Sequence, residues 1–253
     1  MTFVSCIVAA APLRAEASHR SEMVSQLLFG EFAHVTETAK DFTKVKCLFD
    51  GYEGWCQTSQ LAETDETTTQ QTPLAYTLNN GASFLFDGVK VPVGGGVPIY
   101  SIHEMPLGRY MVQYTDGIDR LFTTEDLVRF ARSYLHAPYL WGGRSSAGID
   151  CSGFSQQVMK LLGVALLRDS GQQALQGEDV GFLQETRPGD LAFFDNEEGR
   201  IIHVGILLAP DTIIHASGRV RIDTIDHEGI VNGDTGLRSH RLRVIRRVWQ
   251  PVV

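Results

Sequence analysis

The first 62 residues alternate between short apolar runs and turn residues. FVSCIVAA, QLLFG with EFAHVTET, FTKVKCLF and GWCQTSQL are separated by Gly30, Asp50-Gly51 and Gly54. Strand-length runs punctuated in this way predict about five short strands and a small β-barrel. ETDETTTQQT at 63–72 has little to pack and is read as a linker marking a domain boundary. Residues 73–120 form a second predicted β unit from ASFLF, KVPVGG, VPIYSI and RYMVQYT, with Gly94-Gly95-Gly96 between two of its strands.

From residue 121 the periodicity changes. TTEDLVRFARSYLHAPY carries Leu127, Phe130, Ala131, Tyr134 and Leu135 at helical spacing, with Thr123 as N-cap and Ala137-Pro138 as the stop. After the glycine-bearing loop YLWGGRSSAGID, Asp150 caps a second predicted helix whose buried stripe is Phe154, Val158, Leu161 and Leu162. Beyond Arg187-Pro188-Gly189-Asp190 the period becomes that of strands in LAFF, RIIHVGILL, TIIHAS, VRIDTI and RLRVIRRV. Helices followed by an antiparallel sheet predict an α+β domain over 121–253. RLRVIRR alternates as an edge strand would.

Composition changes this picture little. The 253 residues are 43% hydrophobic with a net charge of -8, so no basic footprint suggests nucleic acid as a partner. No apolar run is long enough to span a bilayer, and stable membrane insertion is not expected. The start, MTFVSCIVAAAPLRAE, lacks a preceding positive charge and reads as a first β-strand more than as a secretory signal. A cytoplasmic, monomeric protein is the expectation, with the periplasm as the alternative. Among the four cysteines, Cys6, Cys47 and Cys56 sit in strand-like apolar contexts that suit buried free thiols; a Cys47–Cys56 bridge is the alternative.

Cys151 has a different setting. It follows Asp150 and precedes Ser152-Gly153-Phe154, a helix entrance where free N–H groups and the dipole favour a thiolate. His203 in IIHVGILL and His215 in TIIHASG lie on predicted strands. His203 shares its face with Gly205, which leaves space for the element carrying the sulfur. Roles follow: Cys151 as nucleophile, His203 as general base and then acid, His215 as the group fixing the His203 tautomer, with the Cys151 N–H helping to hold the oxyanion. A zinc site on the same three residues is the chemical rival. The loop before Cys151 lacks phosphate-binding spacing, and neither a metal nor another cofactor is expected.

YLWGGRSSAGIDCSGFSQQVMKLLGV, RPGDLAFFD, HVGILL and IIHASG, in that order, resemble the NlpC/P60 family of cysteine peptidases. The resemblance implies a papain-like fold, peptides of bacterial peptidoglycan as substrates, and the catalytic set Cys151, His203 and His215. The upstream half, including PLRAEASHRSEMVSQLLFGE at 12–31, resembles the bacterial SH3-like domains that precede such a peptidase in γ-D-glutamyl-L-diamino acid endopeptidases of murein-peptide recycling. Two such domains, at 1–62 and 73–120, are implied, with the peptidase at 121–253. Such enzymes cleave after D-glutamate in L-Ala-γ-D-Glu-diamino acid peptides with a free N-terminus, and their first SH3-like domain blocks the cleft beyond the alanine. Carried over, Glu22 contacts the amine, aided by Tyr52, while Tyr139, Trp141, Asp150, Ser152 and Ser170 line the subsites. A hydrolase of intact wall and a non-catalytic murein-binding protein are the alternatives.

Overall fold

The computed structural model describes residues 1–78, 83–101, 103–108, 110–114 and 123–250. The ends of the predicted ASFLF, VPIYSI and RYMVQYT runs, and the expected 120/121 boundary, lie outside the described residues. Two compact units are present: Met1–Arg120 with Trp141–Ala147, and Leu121–Leu140 with Gly148–Val253.

In the first unit, β1 (Phe3–Cys6), β2 (Ala10–Arg14), β3 (Met23–Leu28), β4 (Phe32–Ala39), β5 (Phe42–Cys47), β6 (Glu53–Gln57) and β7 (Leu61–Thr64) form a seven-stranded antiparallel sheet in the order β3-β2-β6-β5-β4-β1-β7. Its barrel core holds Val4, Leu13, Leu27, Val45 and the buried thiols Cys6, Cys47 and Cys56. All four cysteines of the chain are free, so no Cys47–Cys56 bridge forms.

Two local expectations are corrected. FVSCIVAA is two strands, not one: the chain turns after Cys6 and resumes at Ala10, where Ala10 pairs with Leu28. The supposed linker is ordered, because β7 runs into it and pairs with β1, Glu63 opposite Val4. Asp65 then caps the short helix α1 (Glu66–Thr69) by accepting from the Thr68 N–H at 2.8 Å. Backbone pairing and an acidic cap order this stretch without apolar side chains.

The second β block contributes a four-stranded sheet in the order β10-β9-β13-β12, from β9 (Ser83–Phe86), β10 (Val89–Pro92), β12 (Met105–Leu107) and β13 (Tyr110–Tyr114). A pair of two-residue strands, β8 (Ala75–Tyr76) and β11 (Pro98–Ile99), completes it. Phe84, Val97, Leu107 and Val112 share one core with Phe29 and Phe32 of the first block, and Phe29 stacks on Phe84 at 4.4 Å. The short strand β14 (Arg144–Ser145) also belongs to this unit.

The second unit is α+β. Helix α2 (Thr124–Ser133) starts where Thr123 accepts from the Asp126 N–H at 3.1 Å and buries Leu127, Phe130 and Ala131. After β15 (Gly148–Ile149) comes α3 (Cys151–Leu161), buried at every position and not only along the predicted stripe. It packs against strands of the sheet, with the short helix α4 (Ser170–Gln173) against it. The sheet runs β16-β22-β17-β18-β19-β20-β21, from β16 (Glu178–Asp179), β17 (Leu191–Asp195), β18 (Ile201–Ala209), β19 (Thr212–Ser217), β20 (Arg219–Ile225), β21 (Gly229–Val231) and β22 (Arg238–Arg247).

β22 is not the edge strand that its alternation suggested. It lies between β16 and β17 and also pairs with β21, returning the sheet on itself. Its arginines fit because carboxylates meet them: Arg238 meets Asp226, Arg241 meets Asp195, Arg246 meets Asp179 and Arg247 meets Asp190. Among the described residues no helix is long and apolar enough to cross a membrane.

Candidate active site

Cys151 opens α3, with Asp150 as the N-cap accepting from the Gly153 N–H at 2.6 Å. The cap makes a second connection. Arg168, 1% exposed, donates to both Asp150 oxygens, at 3.1 and 2.6 Å, and to Ser152 Oγ at 2.8 Å. Gln173 of α4 donates to the Ser152 carbonyl at 3.0 Å and accepts from Ser155 Oγ at 2.7 Å. The entrance to α3 is thus fixed by a buried, paired network, the condition under which buried polar groups rigidify a site. Asp150 serves here as cap and ion-pair partner, not as an open acceptor.

Cys151 is 6% exposed. Burial pushes its thiol up to about 12, with the Asp150 charge adding to the rise, while a main-chain hydrogen bond at Val204, the Arg168 charge and the Ser152 main chain act in the opposite sense. Burial thus opposes the thiolate that the helix entrance favours. Desolvation here outweighs the dipole. Val204 directly follows His203, so the sulfur lies against the strand that carries the imidazole.

His203, His215 and Asp223 step diagonally across the adjacent strands β18, β19 and β20. Gly205 of β18 stands opposite His215 of β19, and His215 stands opposite Arg221 of β20. His203 Nε2 and His215 Nδ1 are 2.8 Å apart. His215 Nε2 lies 3.0 Å from Asp223 Oδ2. Diagonal neighbours on one sheet face are within reach of such side chains. A Cβ on Gly205 would come within 2.9 Å of His215 Cβ and 2.6 Å of Ile213 Cδ1. The space left by this glycine is therefore taken by its neighbours on β19, and not by the helix terminus as the sequence suggested.

Burial, with contributions from His215 and His240, holds His203 well below its ordinary value, so its ring is a neutral base at neutral pH. For the zinc alternative, three of the four ring nitrogens of His203 and His215 are used in the chain to Asp223, leaving His203 Nδ1 as the single remaining imidazole nitrogen of the pair. No cluster of three or more metal-ligating side chains occurs among the described residues.

Sequence reasoning missed three residues. Asp223 ends the imidazole chain. Arg221 brackets it, donating from Nε to Oδ2 at 2.7 Å and from Nη2 to Oδ1 at 2.8 Å. His240 of β22 stacks on His203 with centroids 4.1 Å apart and planes at 25°, and burial holds its own pKa down to about 4. The alternation of VRIDTI places Arg221 and Asp223 on one face. Only the strand register shows that His215 shares it.

The remaining predicted residues are distributed as follows. In the second unit, Tyr139 is half-buried, its hydroxyl pushed up by burial and by the Cys151 and Asp150 charges. Ser170 is the first residue of α4 and half-buried. In the first unit, Trp141 is 60% exposed and its indole N–H donates to Glu22 Oε1 at 2.6 Å. Tyr52 packs on the barrel core. Arg144 of the Trp141–Ala147 segment donates to Glu31 at 2.8 and 3.0 Å and to the Gln26 carbonyl, with both charged groups buried.

A cysteine at a buried helix entrance, set on an antiparallel sheet beside a neutral imidazole held by a second one, defines a papain-like thiol hydrolase. The NlpC/P60 family matches residues 136–238, and the bacterial dipeptidyl-peptidase Sh3 domain matches residues 13–61. The chain belongs to the NlpC/P60 family of cysteine peptidases, its peptidase domain joined to an SH3-like domain. It is 31% identical over 215 residues to the γ-D-glutamyl-L-lysine dipeptidyl-peptidase of Bacillus subtilis (strain 168), covering 76% of this chain and 71% of that one. A γ-D-glutamyl-L-lysine dipeptidyl-peptidase of Bacillus cereus is 32% identical over 121 residues, 46% of this chain and 36% of the relative. The solved structure of an NlpC/P60 family protein from Bacillus cereus shares the fold with a TM-score of 0.78 and 21% identity, over 97% of this chain and 99% of that one.

Proposed function

We propose that the protein hydrolyses the bond between γ-D-glutamate and the diamino acid of murein peptides with a free N-terminal L-alanine, releasing L-Ala-γ-D-Glu. The observation that carries this reading is the similarity to the Bacillus subtilis γ-D-glutamyl-L-lysine dipeptidyl-peptidase, which extends over 215 residues, more than the peptidase domain alone.

In this reading Cys151 is the nucleophile. As its sulfur attacks the γ-carbonyl, the thiol proton passes to neutral His203, held in orientation by His215. The Cys151 N–H, at the first position of α3, has no intrahelical partner and is the donor available to the developing oxyanion. His203 then returns the proton to the departing amine of the diamino acid. Water, deprotonated by the same ring, releases the dipeptide from the thioester.

Glu22 takes the substrate's free amine, oriented by the indole N–H of Trp141, whose exposed ring supplies a flat wall. In the second unit, the half-buried Tyr139 and Ser170 line subsites for the short peptide.

The test compares L-Ala-γ-D-Glu-meso-diaminopimelate, its lysine analogue, their N-acetylated forms and intact sacculi by mass spectrometry. Dipeptide release from the free-amine peptides, absent in Cys151→Ala, is expected. Glu22→Ala should lower kcat/KM on the free-amine peptide about tenfold or more, the size of a lost charge-assisted contact, and leave the acetylated one unaffected. Efficient release from sacculi irrespective of a free amine would identify a wall hydrolase instead. Binding to murein without turnover of any substrate would identify a binding protein.

A further inference from the structure

We infer that Asp223 is a positioning residue for catalysis: acting through His215, it sets the tautomer of His203 so that Nδ1 is the nitrogen that takes the Cys151 proton. The inference rests on the thiol-hydrolase reading and goes beyond it by adding a residue two hydrogen bonds from the base.

Asp223 is buried, and its oxygens meet four donors: His215 Nε2 at 3.0 Å, Arg221 Nε at 2.7 Å, Arg221 Nη2 at 2.8 Å and the Gly233 N–H at 2.8 Å. Burial raises its carboxyl, but these partners together hold it well below the usual carboxylate range. An ionised carboxylate only accepts. His215 Nε2 must therefore carry hydrogen. In a neutral ring the bare nitrogen of His215 is then Nδ1, which faces His203 Nε2 at 2.8 Å and can only accept from it. His203 in turn carries its hydrogen on Nε2 and presents a lone pair at Nδ1. The direction of every hydrogen bond in the chain thus follows from the charge at its far end.

The two rings have few alternatives. His203 and His215 are 5% and 1% exposed, and their planes cross at 84°. His240 lies flat against the other side of His203, which keeps that ring from tilting out of the chain. Arg221 is itself anchored by Asp234 at 2.8 Å, so Asp223 is held from behind.

Replacing Asp223 with asparagine isolates the effect. Of the four donors around the side chain, only His215 can turn into an acceptor: the Gly233 amide and the guanidinium cannot. The new amide NH2 therefore settles on the side of His215 Nε2, where it opposes one fixed donor, Arg221 Nε, instead of the two on the other oxygen, and each ring reverses, leaving His203 protonated on Nδ1 and unable to accept from the thiol. Arg221→Gln is the companion variant. It removes two donors but keeps the carboxylate, and with it the original tautomers.

The readout is the 15N chemical shifts of the histidine rings in uniformly labelled protein at pH 8, above the ordinary imidazole range, with kcat and KM on the free-amine tripeptide. For Asp223→Asn, the protonated and bare nitrogens of His203 and His215 should exchange places. Its kcat should fall on the order of 10³–10⁴-fold, as a reversed tautomer costs in a serine peptidase triad, with KM little changed. Arg221→Gln should keep the wild-type shifts and lose less than about tenfold in kcat.

Wild-type ring shifts in Asp223→Asn, a kcat within threefold of wild type, or an equal loss in Arg221→Gln would overturn the inference, the last by reducing Asp223 to a structural anchor. The shifts need no substrate. A wild type inactive on the peptide would refute the proposed substrate while the tautomer result still decides the role of Asp223.

Discussion

The depressed basicity of His203 has a direct kinetic consequence. The ring must be neutral to take the thiol proton, and its burial beside two other imidazoles keeps it neutral to well below the ordinary value of 6.5. Activity is therefore present above that value and lost only as acid protonates the ring. Cys151, pushed up to about 12, contributes no ionisation between pH 7 and 9. The kcat/KM profile is expected to be flat across that interval and to fall on an acid limb below pH 6.5; a limb starting above pH 7 would contradict the neutral pair. Cys151, His203 and His215 were legible in the sequence because each sits in a short motif of its own. Asp223, Arg221 and His240 were not, since their relevance depends on which strands are neighbours and in what register. The upward pull on the Cys151 thiol was hidden for a related reason: a helix terminus is visible in sequence, but the depth at which it is buried is not.

At the scale of elements, the β18–β19 pairing is what brings the two imidazoles together, and Gly205 is its narrowest point. Gly205→Ala would place a Cβ against both Ile213 and His215. Overpacking of this kind costs about 1–3 kcal/mol, and the expected result is a lower denaturant midpoint together with a drop in kcat as His215 is displaced. Retention of both would show that β19 can shift without disturbing the imidazole chain. Most elements of this unit follow from the sequence, because α2 has a Thr cap and a clean apolar face and the later strands are apolar runs between turns. The position of β22 does not. Its alternating arginines resemble a solvent-facing edge, and only the acids contributed by β16, β17 and the turn around Asp226 make an interior place tolerable. The order in residues 63–69 was hidden likewise, since the end of β7 there is held by backbone bonds to β1 and carries no apolar side chain.

At the scale of the molecule, the path of the chain matters. It enters the second unit at Leu121, returns to the first for Trp141–Ala147, and leaves again at Gly148. Within the first unit that segment is held by the Arg144–Glu31 pair, with side chains 1% and 5% exposed. Glu31→Gln takes from the buried guanidinium the carboxylate that it meets at two points, leaving Asp50 as its remaining acidic neighbour; breaking a buried pair costs up to about 3–5 kcal/mol, and calorimetry should show a lower transition. The double variant Glu31→Gln/Arg144→Met should recover part of that loss, since it removes the buried charge but also the guanidinium beside Asp50. An unchanged transition in the single variant would mean that the pair holds nothing together. No sequence pattern announced this pairing, because its members are 113 positions apart. It also bears on ancestry and on engineering. A barrel that keeps seven residues of the peptidase's own chain is not a freely exchangeable cassette. Recombination that swapped the leading domain at a single junction would separate Arg144 from Glu31, so the two halves are expected to be inherited, and must be transplanted, as one piece.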